Sequence, residues 1–397
     1  MKAYQLSDRI FHIYANDRRK SLFENMWPLP TGVAYNCYVI NDEKTALLDT
    51  VEMGSVDNFL GVLSDTLQGR NLDYLIVNHM EPDHSGEIGN VLNAYPNVTV
   101  IGNKFTLKVL SQYYGTDFTF QEVKDGEELI LGTHRLRFIT TPMVHWPESM
   151  MAYECSEQIL FAQDAFGSFG TLDGNVFDDE IDLVGYEQEM RRYYSNIVAK
   201  YSPHVAKALS KVGDTPIRMI CPLHGVIWRK DIGTVVQLYN KWCHYEADDC
   251  VMIVFASMYH NTEAVADYIA RQLSECGVKQ IKVYDVSKTH VSYLLSEAWR
   301  CKSIVLGSCA YNAGMHPMME TFCHELQHSG LKNRQLALFG SYSWGGGGLK
   351  ALQDICSTFG WEESAPSLEI QGKPNTEKLK AFDSFAQAIS NKLKGIQ

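Results

Sequence analysis

No two of the chain's ten cysteines, at positions 37, 155, 221, 243, 250, 276, 301, 309, 323 and 356, are spaced Cys-x-x-Cys. That absence excludes a zinc ribbon, a redox dithiol and a rubredoxin-type iron site, all of which need closely paired thiolates. Most of the cysteines lie in apolar sequence such as Asn36-Cys37-Tyr38-Val39, so buried, reduced thiols in a reducing compartment are expected. Long apolar runs are missing as well. None approaches the roughly 18 residues needed to span a bilayer, and no basic stretch precedes an apolar one near Met1. A soluble, cytoplasmic protein without membrane contact is therefore expected. Positive charge is also in short supply. The 35 Lys and Arg against 47 Asp and Glu leave a net charge of −12, which argues against nucleic acid or an anionic membrane as partner.

What is present is ordinary globular composition, 45% apolar and 11% aromatic, in 397 residues. That length exceeds one ordinary core and predicts two domains. Residues 1–247 read as strands with turn signals, beginning with a hairpin of 32–40 against 44–49. Further strands are expected at 72–77, 97–101, 117–122, 127–131, 134–140, 149–154 and 159–161. Helices are expected at 88–95 and 186–209, with a closing strand at 217–220. Strands with interspersed helices on this scale predict an αββα sandwich. After the charged connector Glu246–Asp249 the pattern changes. Val251–Phe255 is a short, non-alternating apolar run, as in a parallel strand covered on both faces. The cycle of strand, loop and helix repeats at 280–284, 303–306 and 335–339. Residues 248–397 therefore predict a doubly wound parallel sheet, which binds ligands at the carboxyl ends of its strands.

The segment Asn78-His-Met-Glu-Pro-Asp-His-Ser85 places His79, Glu81, Asp83 and His84 just beyond an apolar strand. Along an extended backbone residues 79, 81 and 83 fall on one side. Four metal-type side chains in one loop exceed the usual need of a single ion and predict two. His145, Asp164 and His224 each follow a strand in the same way, where a sandwich collects them on one edge. Singly, each would more often be a satisfied structural residue; jointly they form a candidate ligand set. His12, His134, His204, His244, His290, His316, His324 and His328 lack such settings and read as structural. Four imidazoles and three carboxylates without a thiolate fit iron, manganese or zinc. Seven residues serve two ions if one carboxylate bridges, and Asp164 is the natural bridge.

His-x-His-x-Asp-His is the pattern of the metallo-β-lactamase fold, whose members are mostly zinc hydrolases. This chain has Glu81 where those hydrolases carry the second His, and a harder oxygen ligand favours redox-active iron. The full set resembles the diiron site of the flavodiiron (A-type flavoprotein) family. The resemblance implies one iron held by His79, Glu81 and His145, the other by Asp83, His84 and His224, with Asp164 bridging. The segments Leu22–Pro30 and Tyr193–Asn196 also resemble family stretches. Tyr193 and Tyr194 are thereby candidate donors beside the metals, with plain packing as the alternative.

The first loop of the second domain, Ser257, Met258, Tyr259, His260, Asn261 and Thr262, opens a helix with hydroxyl and amide donors. It lacks Gly-x-Gly-x-x-Gly, so a dinucleotide fingerprint is not supported; it resembles the FMN phosphate loop of flavodoxins. Two later loops add Ser308, Cys309, Ala310, Tyr311, Asn312, Ala313 and Gly314, then Ser341, Tyr342, Trp344, Gly345 and Gly346. Glycines there allow close backbone approach, and aromatic rings can stack on a planar ligand. Cys309 and Ala310 stand where flavodoxin-like domains commonly have Thr or Pro.

The resemblance covers nearly the whole chain, and no rubredoxin module is expected after Gln397. It implies an oxidoreductase that reduces dioxygen to water, nitric oxide to nitrous oxide, or both, with electrons passing from FMN to a non-haem diiron centre. It implies a head-to-tail homodimer, or a dimer of dimers. It further implies an external donor: a rubredoxin, a flavoprotein reductase or a reduced deazaflavin. Two rivals stand beside it, a dizinc hydrolase fused to a flavodoxin-like domain and an electron carrier with a structural metal.

Overall fold

A computed structural model describes residues 3–55 and 58–396, which divide into two compact units, Met1–Asn240 and Lys241–Gln397. In the first unit a seven-stranded sheet runs in the order Tyr4–Gln5, Ile10–Asp17, Val33–Asn41, Thr45–Leu48, Tyr74–Ile76, Thr99–Gly102, Thr119–Glu122. Its first half is antiparallel and its second half, from Thr45–Leu48 onward, is parallel. A five-stranded sheet runs Glu128–Ile130, Arg135–Thr140, Met150–Glu154, Ile159–Gln163, Met219–Pro222. Between them lies one core, in which Ile40, Leu48, Ile76 and Ile101 face Leu136, Phe138, Ala152 and Phe161. The register is set by alternation: in Arg135-Leu-Arg-Phe138 the two apolar residues are buried and the arginines lie outside.

The helix expected over 186–209 is broken. Leu183–Tyr193 is α-helical, Tyr194–Val198 is a π-turn, Ala199–Tyr201 a 3₁₀ turn, and Ser202–Val212 helical again. The cause is local competition for a backbone carbonyl. Arg192 O accepts Ser195 Oγ at 3.1 Å and Asn196 Nδ2 at 2.7 Å, and Pro203 sits at the start of the next helix.

The second unit is a parallel sheet in the order Ile281–Asp285, Asp248–Ala256, Cys301–Tyr311, Gln335–Tyr342, with Glu362–Glu363 and Leu368–Gln371 both pairing on the last. This is the flavodoxin-type order 2-1-3-4-5. Val251, Ile253 and Phe255 pack on Ile269, Phe382, Phe385 and Ile389 of the covering helices Asn261–Glu275 and Thr376–Leu393. The expectation of free thiols throughout is corrected at one pair. Cys250 and Cys301 form a disulfide, with Cα atoms 4.9 Å apart. A register shift between Asp248 and Val251 brings the two residues, 51 apart in sequence, side by side on neighbouring strands. The other eight cysteines form no disulfide, and six of these are buried.

Arg334 anchors the start of this unit. Only 1% exposed, it donates Nε to Ala298 O (3.0 Å), Nη2 to Trp299 O (2.7 Å) and Nη1 to Tyr245 O (2.7 Å). It thereby satisfies carbonyls at the end of the helix Val291–Arg300. Burial brings its pKa down to about 9. Arg334→Met removes all of these buried, charge-assisted hydrogen bonds at once and is expected to cost about 3–5 kcal/mol. Urea unfolding of the second unit measures it, and an unshifted midpoint would overturn the assignment.

Candidate functional site

The ligand-bearing loop leaves the first sheet after Tyr74–Ile76, and a neighbouring strand end holds it. Buried Asp49 accepts Asn78 N (2.7 Å), Asn78 Nδ2 (2.8 Å) and His79 N (3.1 Å). Burial raises its carboxyl to about 6 despite those bonds. The one-sided alternation expected of residues 79, 81 and 83 does not occur. Glu81 is extended, with φ −59° and ψ 141°, but Pro82–Ser85 closes into a helical turn. Pro82, at the first helical position, favours that turn. The turn is what divides the ligands. His79 and Glu81 join His145 and Asp164 in one group; Asp83 and His84 join His224 in a second.

Asp164 faces both groups. Its Oδ2 lies 3.3 Å from His79 Nε2 and 3.0 Å from His145 Nε2. Its Oδ1 lies 3.2 Å from His84 Nε2 and 3.6 Å from His224 Nε2. Glu81 Oε2 completes the first group, 2.9 Å from His145 Nε2. Asp83 Oδ2 completes the second, at 3.4 Å and 3.3 Å from His84 and His224. All seven side chains are buried. Yet both oxygens of Asp83 and both of Asp164 lack a hydrogen bond of acceptable angle. Within each group the ligand-type atoms lie within 4.8 Å of one another, and buried carboxylates left without hydrogen bonds among them are what a cation satisfies. Desolvation works against charge on His145, but Asp164 and Glu81 facing it prevail and lift it to about 9. A metal ion entering the group displaces such protons.

His224 is set by the strand Val33–Asn41. Its Nδ1 meets Ala34 O at 2.9 Å, while Asn36 Nδ2 donates to Pro222 O and Gly225 O, each at 2.9 Å. Asn36 Oδ1 is left to accept from His12 Nε2 at 2.9 Å, so the structural reading of His12 becomes a specific one. Burial lowers the His12 pKa to about 4, outweighing that hydrogen bond. The folded state thus binds fewer protons than the unfolded chain between pH 4 and 6.5. The stability this group supports is intact above 6.5, falls as the pH drops, and levels off below 4. The loss amounts to about 3 kcal/mol. His12→Gln, which keeps a donor for Asn36 but cannot titrate, should flatten this part of the acid dependence in urea midpoints measured across that window. An identical slope in both proteins would count against it.

The two candidate tyrosines separate. The Tyr193 ring stands 5.3 Å from that of His224, against Phe23 and Phe169, and its hydroxyl is buried with no hydrogen-bond partner. Burial and the nearby Asp164, Asp83 and Glu81 charges keep it a neutral phenol. Tyr194 points elsewhere, its hydroxyl 2.8 Å from Ser202 Oγ. The π-turn beginning at Tyr194 separates the two directions. Two neighbours carry no mark in the sequence as individuals. Glu24, at the tip of the hairpin Leu22–Phe23 and Trp27–Pro28, accepts Trp27 Nε1 at 2.9 Å; although the residue is exposed, lost hydration at its carboxyl and the neighbouring Glu81 charge raise it to about 7. Glu148 meets His79 Nδ1 at 3.0 Å. Its position three residues after His145 is the only sequence signal for it.

In the second unit the loops after three strands enclose a cleft of about 340 Å³. Ser257, Met258, Tyr259, Asn261, Thr262, Cys309, Ala310, Tyr311, Asn312, Ala313, Ser341, Tyr342, Trp344, Gly345 and Gly346 line it, together with Ser343, which was not anticipated. His260, Ser308 and Gly314 do not. His260 turns outward to Glu263 Oε2 at 2.6 Å, Ser308 Oγ is engaged by His316 N at 3.0 Å, and Gly314 pairs back on Tyr311 in a two-residue strand. Ser257 Oγ is buried without a partner beside the N-terminus of the helix Asn261–Glu275, and Thr262 Oγ1 meets Ser341 Oγ at 2.8 Å. An unpaired hydroxyl at a helix N-terminus fits an anionic phosphate. Gly347, at φ +109°, would place a Cβ 2.3 Å from Ala313 O, so the second and third loops meet only because it is glycine.

Comparison with known proteins agrees with this division. The ODP family beta lactamase matches residues 33–225, and the flavodoxin family matches residues 253–385. The anaerobic nitric oxide reductase flavorubredoxin of Vibrio vulnificus is 30% identical over 92% of this chain and 74% of its own length. An uncharacterized protein of Methanocaldococcus jannaschii is 33% identical over 91% of this chain and 92% of its own. Among solved structures, the rubredoxin oxygen:oxidoreductase of Desulfovibrio gigas is 29% identical and superposes with a TM-score of 0.94 over 99% of both chains. The flavodiiron protein of Giardia intestinalis, 22% identical, shares the fold at a TM-score of 0.93 over 100% of this chain and 97% of its own. Among the described residues no helix is long and apolar enough to cross a membrane. With two buried groups of metal-type side chains in one unit and a flavodoxin-type cleft in the other, the chain belongs to the flavodiiron protein family.

Proposed function

We propose that this oxidoreductase reduces dioxygen to water, nitric oxide to nitrous oxide, or both, with FMN in the cleft of the second unit and two irons in the first. The observation that carries the reading is Asp164, whose two oxygens divide between two three-residue groups, one of which contains Glu81. His79, Glu81 and His145 would hold one iron, and Asp83, His84 and His224 the other. His84 belongs to the set because its Nε2 lies 2.9 Å from that of His224. When bound, the irons supply open coordination positions and one-electron chemistry, and FMN supplies the electrons.

The chain's own residues do the rest. Phe23, Phe169 and the Tyr193 ring wall His224 off from water. The Tyr193 hydroxyl, neutral and unpaired, is placed to donate a hydrogen bond to a small ligand. Ser257 and Thr262 take the FMN phosphate, while the exposed rings of Tyr259 and Trp344 are free to cover the isoalloxazine. Electrons come from an external donor, a rubredoxin, a flavoprotein reductase or a reduced deazaflavin, and the working unit is a head-to-tail homodimer. A nitric oxide reductase and an oxygen:oxidoreductase stand among the relatives at similar identity, which supports retaining both gases.

Metal analysis followed by anaerobic reduction and parallel dioxygen and nitric oxide consumption tests the reading. Two irons per chain and consumption of at least one gas are expected. Two zinc ions would favour a hydrolase, and iron without gas turnover would favour an electron carrier.

A further inference from the structure

Three of the four imidazoles of the metal groups are held in three different ways. His224 Nδ1 meets a neutral backbone carbonyl, Ala34 O, at 2.9 Å, and His84 Nδ1 is buried with no partner. His79 Nδ1 instead meets a carboxylate: Glu148 Oε1 at 3.0 Å, and that same oxygen accepts Met80 N at 2.9 Å. Glu148 is 0% exposed, and its other oxygen has no hydrogen-bond partner. Its placement is firm. The Glu148 carbonyl accepts Asn103 Nδ2 at 2.5 Å, and Asn103 is itself the N-cap of the helix Lys104–Tyr114.

This geometry has two consequences. The carboxylate requires the hydrogen of His79 to sit on Nδ1, which leaves the Nε2 lone pair facing Glu81 and Asp164. It also places a buried negative charge behind one ligand of one group. A carboxylate behind an imidazole strengthens the imidazole as a donor and stabilises the more highly charged metal. A carbonyl does so less, and an unpartnered nitrogen not at all.

We propose that Glu148 is a positioning residue that tightens metal binding at the His79, Glu81 and His145 group and lowers the reduction potential there, so that the two metal positions are unequal. The inference rests on the diiron reading above. Glu148 touches neither substrate nor flavin in it; its action passes through His79.

Two substitutions test it in the full-length protein. Glu148→Gln keeps an oxygen acceptor for His79 Nδ1–H and Met80 N but removes the charge. Glu148→Ala removes both. In a reductive titration followed by electron paramagnetic resonance, Glu148→Gln is expected to raise one of the two iron potentials and leave the other in place. In a chelator challenge, Glu148→Ala is expected to release one iron about 10–100-fold more readily than wild type. FMN content and flavin potential should not move. Glu154→Gln is the control for lost structure. Glu154 is also fully buried, but its carboxylate accepts Arg135 N and Ser156 N in a turn away from the ligands, so its loss should lower stability without moving an iron potential. Wild-type potentials in Glu148→Gln overturn the proposal, and this variant decides even if the alanine variant does not fold. Should wild type itself hold no iron pair, the diiron reading falls and this proposal with it. A wild-type iron pair unaffected by either substitution sinks the Glu148 role alone.

Discussion

Replacing Asp164 by asparagine is expected to empty both metal positions at once. Every other candidate ligand serves one group, whereas the Asp164 oxygens lie 3.0 Å from His145 Nε2 on one side and 3.2 Å from His84 Nε2 on the other. Asparagine keeps one neutral oxygen and turns the second position into an NH₂ donor, which repels a cation and faces the imidazole nitrogens of one group. Whichever way the amide settles, one group loses an anionic ligand and the other gains a misplaced donor. Loss of a mere supporting contact costs about 10–100-fold in metal affinity, so loss of a shared ligand should exceed that at each position. Iron should fall from two per chain toward none, with gas consumption lost. The FMN absorbance should persist, because the flavin cleft is built from other loops of the other unit. Asp83→Asn gives the internal comparison and should cost only the iron of the second group. An Asp164→Asn protein that still carries two irons would refute the bridging role.

The strands that carry ligands were legible because their signal is short-range. Apolar runs ending in His79, Asp164 and His224 appear as strand, then polar residue, in the bare sequence, and the sandwich places those ends together. The division of the ligands was not legible. It depends on Pro82–Ser85 folding into a helical turn where extended alternation was expected, so that residues 83 and 84 leave the direction set by 79 and 81. Glu148 and Glu24 were out of reach for a different reason. A carboxylate becomes a partner of His79 or Glu81 only through tertiary placement, and a lone acid in sequence carries no mark of the partner it will meet. The π-turn at Tyr194–Val198 belongs to the same class, since helical periodicity runs straight through it while Ser195 and Asn196 redirect a carbonyl. The Cys250–Cys301 pair lay hidden because strand register, not spacing, brings its members together.

Glu81 carries the second large effect. It is the residue that separates this ligand set from the His-x-His-x-Asp-His pattern, and the structure puts its Oε2 2.9 Å from His145 Nε2 and 3.3 Å from His79 Nε2. Glu81→Ala leaves two imidazoles and the shared carboxylate for the first metal, with no anion of its own. Iron content should drop toward one per chain, FMN should stay bound, and gas consumption should fall by about 10³-fold or more, as expected when several kcal/mol of metal-derived stabilisation are lost. Glu81→His is the more discriminating change, because it restores a nitrogen donor at the same place. Removing an anionic oxygen ligand lowers the site's preference for iron and raises that for zinc. Grown with both metals supplied, this variant should therefore take up zinc at the first group and lose turnover despite a filled site. Iron retained at two per chain in Glu81→His would show that the carboxylate does not select the metal. Activity retained in Glu81→Ala would remove Glu81 from the centre altogether.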